Sequence, residues 1–222
     1  MSNLSFHKWL GFSVIKIAQD NMMVSINEDM VEFMDTLDLK GKNVIDGGTN
    51  IGLFSLYAAK RVGSRGSVLS FEIQDVLNQL AIDNAAMNNY SNIKFHHAAL
   101  SNKSGEKVGF THIDYFGENI SSVGIKTEPL LRGQPHCGEV ETIALDDLNL
   151  DNIALIKLDL EGNEPKALDG MWNTIDRCKP ILIIELSPIY LENKEQETID
   201  KVLSHGYSVK QLTDFNYIFE PK

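Results

Sequence analysis

Near the start of the chain, Asp46-Gly47-Gly48-Thr49-Asn50-Ile51-Gly52 brings together the residue types that let a ligand approach a backbone closely. A turn without side chains leaves room for the ligand, and a helix beginning just after it presents free N–H groups to a carboxylate or a phosphate. The next apolar run ends in Phe71-Glu72, where a carboxylate can accept both hydroxyls of a ribose and excludes a 2′-phosphate. Three further acids, Asp159, Glu161 and Glu185, stand at or just past the ends of two later apolar runs. A carboxylate in such a place can take a proton from a hydroxyl if burial raises its pKa toward neutrality.

The turn itself separates two cofactor classes. Counted from Gly47, Thr49 replaces the second glycine of the dinucleotide pattern G-x-G-x-x-G, and Asn50 follows it. That disfavours a pyrophosphate and favours the methionine carboxylate of S-adenosylmethionine. An NAD-dependent oxidoreductase stays open as an alternative separable by cofactor titration. A binding module that keeps the sheet without catalysis stays open too, to be decided by turnover.

Something has to hold these residues in one crevice. From about residue 42, short β-branched or apolar runs alternate with longer helical patterns, the signature of βαβ units feeding a parallel sheet. Strands are expected at Asn43 to Ile45, Val68 to Phe71, Ile93 to His96, Ala154 to Leu158 and Ile181 to Glu185. Helices are expected from Ile51, over Val76 to Asn88, Pro165 to Ile175 and Glu192 to His205. Tyr207 to Leu212 and Asn216 to Phe219, joined by three residues, read as a closing antiparallel hairpin. The expectation is an α/β fold with a doubly wound, mostly parallel seven-stranded sheet and a C-terminal antiparallel hairpin, in a single domain over 1–222. Such a sheet binds ligands beyond the C-terminal ends of its strands, where Asp159, Glu161 and Glu185 fall.

Two segments fit this rhythm poorly. Residues 1–40 read as an N-terminal extension, in which Phe12 to Ile17 and Met22 to Ile26 would pair as a hairpin over one edge or shape the acceptor site. Ser101 to Gly138 is rich in Gly, Ser, Asn and Pro, with only short strand-like pieces such as Lys107 to Thr111. It reads as a long loop or insertion, a lid or an unstructured segment, and would carry acceptor specificity together with the extension.

The sequence resembles the FkbM-type methyltransferases, which pair a D-x-G-x-N-x-G turn with a later K-x-D-x-E-G-x-E motif. Asp46, Gly48, Asn50 and Gly52 match the first, and Lys157-Leu158-Asp159-Leu160-Glu161-Gly162-Asn163-Glu164 the second. The likeness continues through Phe71-Glu72, Asn84, Asn88, Ala98-Ala99-Leu100-Ser101, Leu145-Asp146-Asp147-Leu148, Glu185, Gly206-Tyr207 and Phe219-Glu220-Pro221. It departs at Ile73, where the family commonly has Pro, and at Gly47, where it commonly has an apolar residue. The resemblance implies a class I, Rossmann-like methyltransferase with S-adenosylmethionine as cofactor. Asp46, Gly48, Asn50 and Gly52 would surround its methionine portion, Glu72 and Ile73 the ribose, and Ala98 and Ala99 the adenine, with Asp159 beside the transfer site. It also implies an oxygen acceptor, a hydroxyl of a small molecule or sugar. Among the acids, Asp159 is the first choice of base, then Glu161, then Glu185.

Composition narrows the partners. Lys plus Arg number 20 against 31 Asp plus Glu, a net charge of -11, which repels phosphate backbones and anionic lipid, so neither nucleic acid nor a membrane surface is the expected partner. Two cysteines, Cys137 and Cys178, lie far apart without metal-ligand spacing, and Ile181 to Leu186 is too short to span a bilayer, so a cytoplasmic protein is expected. Oligomeric state is not legible. The acids near the crevice suit Mg²⁺ as oxygen ligands, but their spacing defines no coordination set, and no metal is expected. Glu161 and Glu164 also suit the opening of the helix near Pro165, where negative charge meets the positive helix end. His96 and His97 face opposite sides of a strand, so at most one enters the crevice.

Overall fold

The computed structural model describes residues 4–17, 28–112, 123–125 and 138–222. In chain order these form β1 (Leu4–Trp9), β2 (Phe12–Ile17), α1 (Glu28–Thr36), β3 (Asn43–Gly47), α2 (Leu53–Val62), β4 (Ser67–Glu72), α3 (Asp75–Met87) and β5 (Ile93–His97). There follow β6 (Ala99–Leu100), β7 (Lys107–His112), β8 (Val123–Ile125), β9 (Gly138–Ile143) and β10 (Ile153–Leu158). The chain closes with α4 (Glu164–Asp169), α5 (Trp172–Cys178), β11 (Ile181–Glu185), α6 (Glu195–Ser204), β12 (Tyr207–Gln211) and β13 (Asn216–Pro221).

The main sheet has seven strands in the order β12-β13-β11-β10-β3-β4-β5. Five run parallel, and the terminal hairpin adds β13 antiparallel to β11 and β12 antiparallel to β13. Buried on both faces, the central strands are continuous apolar runs whose neighbours point to opposite sides. Val44, Leu155, Ile183 and Ile218 pack under α1, α2 and α3. Ile45, Leu69, Ile156, Leu182 and Ile184 pack under α4, α5 and α6. This is the expected doubly wound, mostly parallel sheet closed by an antiparallel hairpin, and no helix among the described residues is long and apolar enough to cross a membrane.

Three regions differ from the reading of the sequence. β2 pairs with β1, from Leu4↔Ile17 to Trp9↔Phe12, and Met22–Ile26, the other half of the expected hairpin, lies outside the described residues. The cause is the two-residue turn Leu10-Gly11, with φ of 45° and 87°, the doubly positive pair that a tight hairpin requires. Within 101–138, β7 pairs with both β8 and β9, and β9 also pairs with β6, so part of the expected loop is a small sheet. Finally, the single helix expected over Pro165 to Ile175 is two. A Cβ on Gly170 would lie 2.0 Å from the carbonyl oxygen of Ser101, so the chain breaks at this close backbone approach. The helix restarts with the Asp146 carboxylate accepting from the N–H groups of Asn173 (3.1 Å) and Thr174 (2.8 Å).

The hairpin β1–β2 lies against α3 through two asparagines that imitate a neighbouring strand. Asn84 accepts from the N–H of Ile15 (2.6 Å) and donates to its carbonyl (3.1 Å), while Asn88 does the same at Ser13 (2.8 and 2.6 Å). Asn84 also donates to the carbonyl of Ile51 (2.8 Å), joining the hairpin to the glycine-rich turn. Asn84→Ala leaves these buried backbone groups without a partner and is expected to cost about 2–3 kcal/mol in denaturant unfolding. Hydrogen exchange at Ser13 and Ile15 should accelerate with it.

Candidate active site

β3 ends in the turn 46–52, and its geometry explains the glycines. Gly48 has φ +76°, and a Cβ there would sit 1.9 Å from the main-chain oxygen of Asp159, so the turn passes directly over the end of β10. Gly52 has φ +89°, and a Cβ would meet that of Ala81 on α3 at 3.1 Å. Asn50 also takes a left-handed conformation (φ 55°), which its short amide tolerates while Oδ1 accepts from the N–H of Ile51 at 2.7 Å. The N–H groups of Gly48 and Thr49 both bond the carbonyl of Phe71 (2.9 and 3.1 Å), fastening the turn to β4. The first N–H groups of α2 point out of the turn beyond Gly52, which has no side chain to cap them.

Glu72, 6% exposed, is locked from both sides. Oε2 accepts from the N–H of Asn50 (2.7 Å) and Oε1 from the N–H of Gln74 (2.9 Å). A carboxylate has about four lone-pair sites, so these backbone donors leave capacity for a ribose hydroxyl. Burial pushes its pKa up, against the pull of these backbone donors. Its carbonyl accepts from the N–H of Ala98 (3.1 Å), and Ile73 packs with the buried Ala99, Val108, Phe110 and Val140, so Ile73, Ala98 and Ala99 all adjoin Glu72.

Asp46 is fully buried beneath the turn rather than on the crevice surface. Its Oδ2 accepts from Ser55 on α2 (2.5 Å), whose hydroxyl lies 2.5 Å from that of Ser70 on β4. Its Oδ1 has no hydrogen-bond partner among the described residues and stands 3.6 Å from the ammonium of Lys157. Burial raises the Asp46 pKa, partly offset by Lys157 and the Ser55 hydroxyl. For Lys157 burial acts downward, but Asp159 and Asp46 outweigh it and lift the ammonium above the ordinary lysine value. The two shifts agree once the stoichiometry is counted: one cation serves two carboxylates, so the lysine has partners to spare and Asp46 too few.

The acids after β10 and β11 meet at one place. Asp159, its side chain 39% exposed, lies 3.3 Å from Lys157 on one side and shares a hydrogen bond with Glu185 on the other. Burial, then the charges of Asp159 and Glu161, drive the Glu185 pKa far above the usual carboxylate range, which favours its neutral form beside Asp159. Glu161 sits in a left-handed conformation (φ 53°), a strain that β10 and the following helix impose. Its pKa is pushed up to about 7 by burial and by Asp159, against a hydrogen bond from Tyr190. Glu164 closes the loop instead of facing the crevice, accepting from the N–H groups of Leu160 (2.6 Å) and Gly162 (3.0 Å).

Of the histidines, His96 stacks on Phe71 with ring centroids 4.8 Å apart, and burial followed by the charge of Lys94 lowers its pKa. His97 meets the carbonyl of Ile73 at 3.0 Å. Neither belongs to the acid group. No cluster of three or more His, Cys, Asp or Glu suited to a metal ion occurs among the described residues.

These buried acids make stability depend on pH with a fixed sign. Glu161 and Glu164, with an ordinary value of 4.5, are pushed up to about 7 and about 8, burial being the first cause in both. A carboxyl whose pKa is higher folded than unfolded stabilises the fold while protonated, fully so below the unfolded value, and loses that contribution as pH rises through the folded one. The melting temperature should therefore fall between about pH 4.5 and about pH 8, and Glu164→Gln should flatten the slope.

Sequence reading did not single out Ser55, Ser70 or Tyr190. The two serines left a trace, each a lone polar residue inside an apolar run, Leu53-Phe54-Ser55-Leu56 and Val68-Leu69-Ser70-Phe71. Tyr190 left none.

The geometry suits S-adenosylmethionine. A cradle too tight for any Cβ at Gly48, an open helix start, and a fixed acid with lone-pair capacity one strand away match a carboxylate-bearing nucleoside without a pyrophosphate. Comparison with known proteins points the same way. A family model described as the methyltransferase FkbM domain matches residues 46–209. The 23S rRNA (uracil(1939)-C(5))-methyltransferase RlmD of Psychrobacter arcticus is 34% identical over 100 residues, 44% of this chain and 20% of its own length. This chain thus spans about a fifth of that curated relative. Among solved structures, the methyltransferase FkbM of Methylobacillus flagellatus superposes with a TM-score of 0.58 at 18% identity, over 83% of this chain and 45% of that one. The O-methyltransferase of Bacillus cereus, solved in complex with SAH, gives 0.55 at 14% identity, over 88% and 81%. With its family model covering most of the chain, from the acid of the turn to β12, the protein belongs to the FkbM methyltransferase family.

Proposed function

We propose that the chain transfers a methyl group from S-adenosylmethionine to a hydroxyl of a polyhydroxylated small molecule or sugar. One observation carries this reading: Glu72, Gly48, Asp159 and Glu185 stand side by side at the C-terminal ends of four adjacent strands. An anchor for a ribose diol occupies one end of that row and a pair of hydrogen-bonded carboxyls the other.

The bound cofactor supplies a methyl on a positively charged sulfur, whose bond breaks with its electron pair going to sulfur as the acceptor oxygen bonds the carbon. The chain has to hold the acceptor in line, exclude water and receive the hydroxyl proton. Asp159 is the first choice for that proton on sequence grounds, but its carboxylate already faces Lys157 and the carboxyl of Glu185. Glu161, with a buried Oε2 that has no partner among the described residues and a pKa pushed up to about 7, is the better base at neutral pH. Asp159 then accepts a hydrogen bond from the acceptor and orients it, and Glu185 acts through Asp159. Ile73, Ala98 and Ala99 border the nucleoside beside Glu72, and Asp46 supports the turn from below.

The acidic crevice and a net charge of -11 favour a neutral, hydroxyl-rich acceptor over the RNA named for the Psychrobacter relative. A small acceptor and thiols without metal or disulfide spacing suit a protein working in the cytoplasm. Calorimetry with S-adenosylmethionine, S-adenosylhomocysteine and NAD tests the cofactor site. The first two should bind and NAD should not, with Glu72→Ala weakening both by at least about 30-fold as two charge-assisted hydrogen bonds are lost. Unchanged binding in Glu72→Ala, or preference for NAD, contradicts the reading.

A further inference from the structure

Two rows of side chains cross the sheet on the face covered by α2 and α3. Register sets Ser70 beside Asp46, Asp46 beside Lys157 and Lys157 beside Ile183. Two residues further along the same strands come Glu72, Gly48, Asp159 and Glu185, the row that faces the crevice. The lower row contains one cation. Lys157, 7% exposed, donates to the carbonyl oxygen of Gly48 at 3.0 Å, with Asp159 Oδ2 at 3.3 Å, Asp46 Oδ1 at 3.6 Å and the Phe54 ring centroid at 5.9 Å. A lysine present only to neutralise Asp46 would need one of these contacts. Two of the remaining three reach up into the crevice row, one to the turn under the cofactor and one to the acid beside the acceptor.

We propose that Lys157 is a positioning residue of the transfer site, whose ammonium ties the Gly48 turn to Asp159 and sets the charge that the sulfonium meets. This rests on the cofactor placement proposed above. Methyl transfer removes one positive charge from the crevice, because the sulfonium becomes a thioether. Fixed charges in the floor therefore bear on S-adenosylmethionine more than on S-adenosylhomocysteine, and a change of one unit several ångströms away is worth on the order of tenfold in that preference at partly buried sites. A lysine acting only on folding would weaken both ligands in the same proportion.

The test is the ratio of the two affinities, measured calorimetrically at pH 8 for wild type, Asp46→Asn and the double variant Asp46→Asn/Lys157→Met. The Asp46→Asn change keeps the size of the side chain and an oxygen for the bond from Ser55, and the double variant buries no unpaired Asp46 charge, so both are expected to fold. Asp46→Asn leaves the ammonium under-neutralised and should lower the preference for S-adenosylmethionine on the order of tenfold. Adding Lys157→Met should return the ratio to near the wild-type value while both ligands weaken together, since Gly48 has lost its tether. A double variant that keeps the ratio of Asp46→Asn, or equal ratios in all three proteins, overturns the role of Lys157. A wild-type protein that binds neither ligand overturns the cofactor placement instead, and this role with it.

Discussion

Gly48→Ala is expected to abolish measurable binding of S-adenosylmethionine, with affinity falling by at least about 100-fold, while the protein stays folded. The added Cβ would lie 1.9 Å from the main-chain oxygen of Asp159, and backbone cannot swing aside as a side chain can. The φ of +76° adds a left-handed penalty of roughly 1–2 kcal/mol for any residue with a Cβ. The turn must therefore lift off β10, and a displacement near 1 Å in a preorganised site costs on the order of 10²-fold. Gly47→Ala is the matched control. Its Cβ would meet the methyl ends of Leu100 and Leu158 at 2.9 and 3.0 Å, which can give way, and its φ lies outside the left-handed region. Calorimetry on the two variants should show binding lost in the first and largely kept in the second.

Lys157→Met should produce the largest loss of stability of any single change at the site. Removing the ammonium strands Asp46, which is 0% exposed and whose other partner is a serine hydroxyl. Breaking one side of a buried ion pair costs roughly 3–5 kcal/mol, because the remaining charge has neither water nor a counter-ion. Denaturant unfolding should register that loss, and Asp46→Asn in the same chain should recover most of it. Full additivity of the two changes would show that the 3.6 Å contact carries no coupling.

Most of what positions the site was legible from the order of residue types. Strand and helix periods fixed the doubly wound sheet, since apolar runs buried on both faces look unlike anything else. The terminal hairpin followed from the three residues between Leu212 and Asn216. The glycine turn and Glu72 could be located because their chemistry is local, a bend followed by a helix and an acid at the end of the next strand. What escaped depends on contacts distant in sequence. Nothing in Leu160-Glu161-Gly162 announces that Glu161 would be buried and held at φ 53°, with Tyr190 29 positions along reaching back to it. The break at Gly170 arises from the backbone of Ser101, which no helical period can foretell. The hairpin between Leu4–Trp9 and Phe12–Ile17 escaped for a different reason: it turns on Leu10-Gly11, and a leucine does not announce a positive φ.

The order of the acids proposed above differs from the order read off the sequence for a physical reason. Position alone places Asp159, Glu161 and Glu185 at strand ends without distinguishing them. Their neighbours distinguish them: an ammonium in ion-pair contact with Asp159, burial and two acidic neighbours around Glu185, and a partly dry, strained pocket around Glu161. One expectation follows for turnover once an acceptor is in hand. The acid limb of the kcat profile should fall near pH 7 and disappear in Glu161→Gln, whereas Asp159→Asn should lower kcat at every pH.

The central claim, that the turn after β3 and the acid closing β4 together grip a sulfonium nucleoside, is tested most directly by a crystal structure of the protein with S-adenosylhomocysteine. Both ribose hydroxyls should lie within hydrogen-bond distance of Glu72, the amino-acid end over Gly48 to Gly52 at the start of α2, and the sulfur directed toward Asp159. A ligand seated elsewhere, or one whose ribose makes no contact with Glu72, would contradict it.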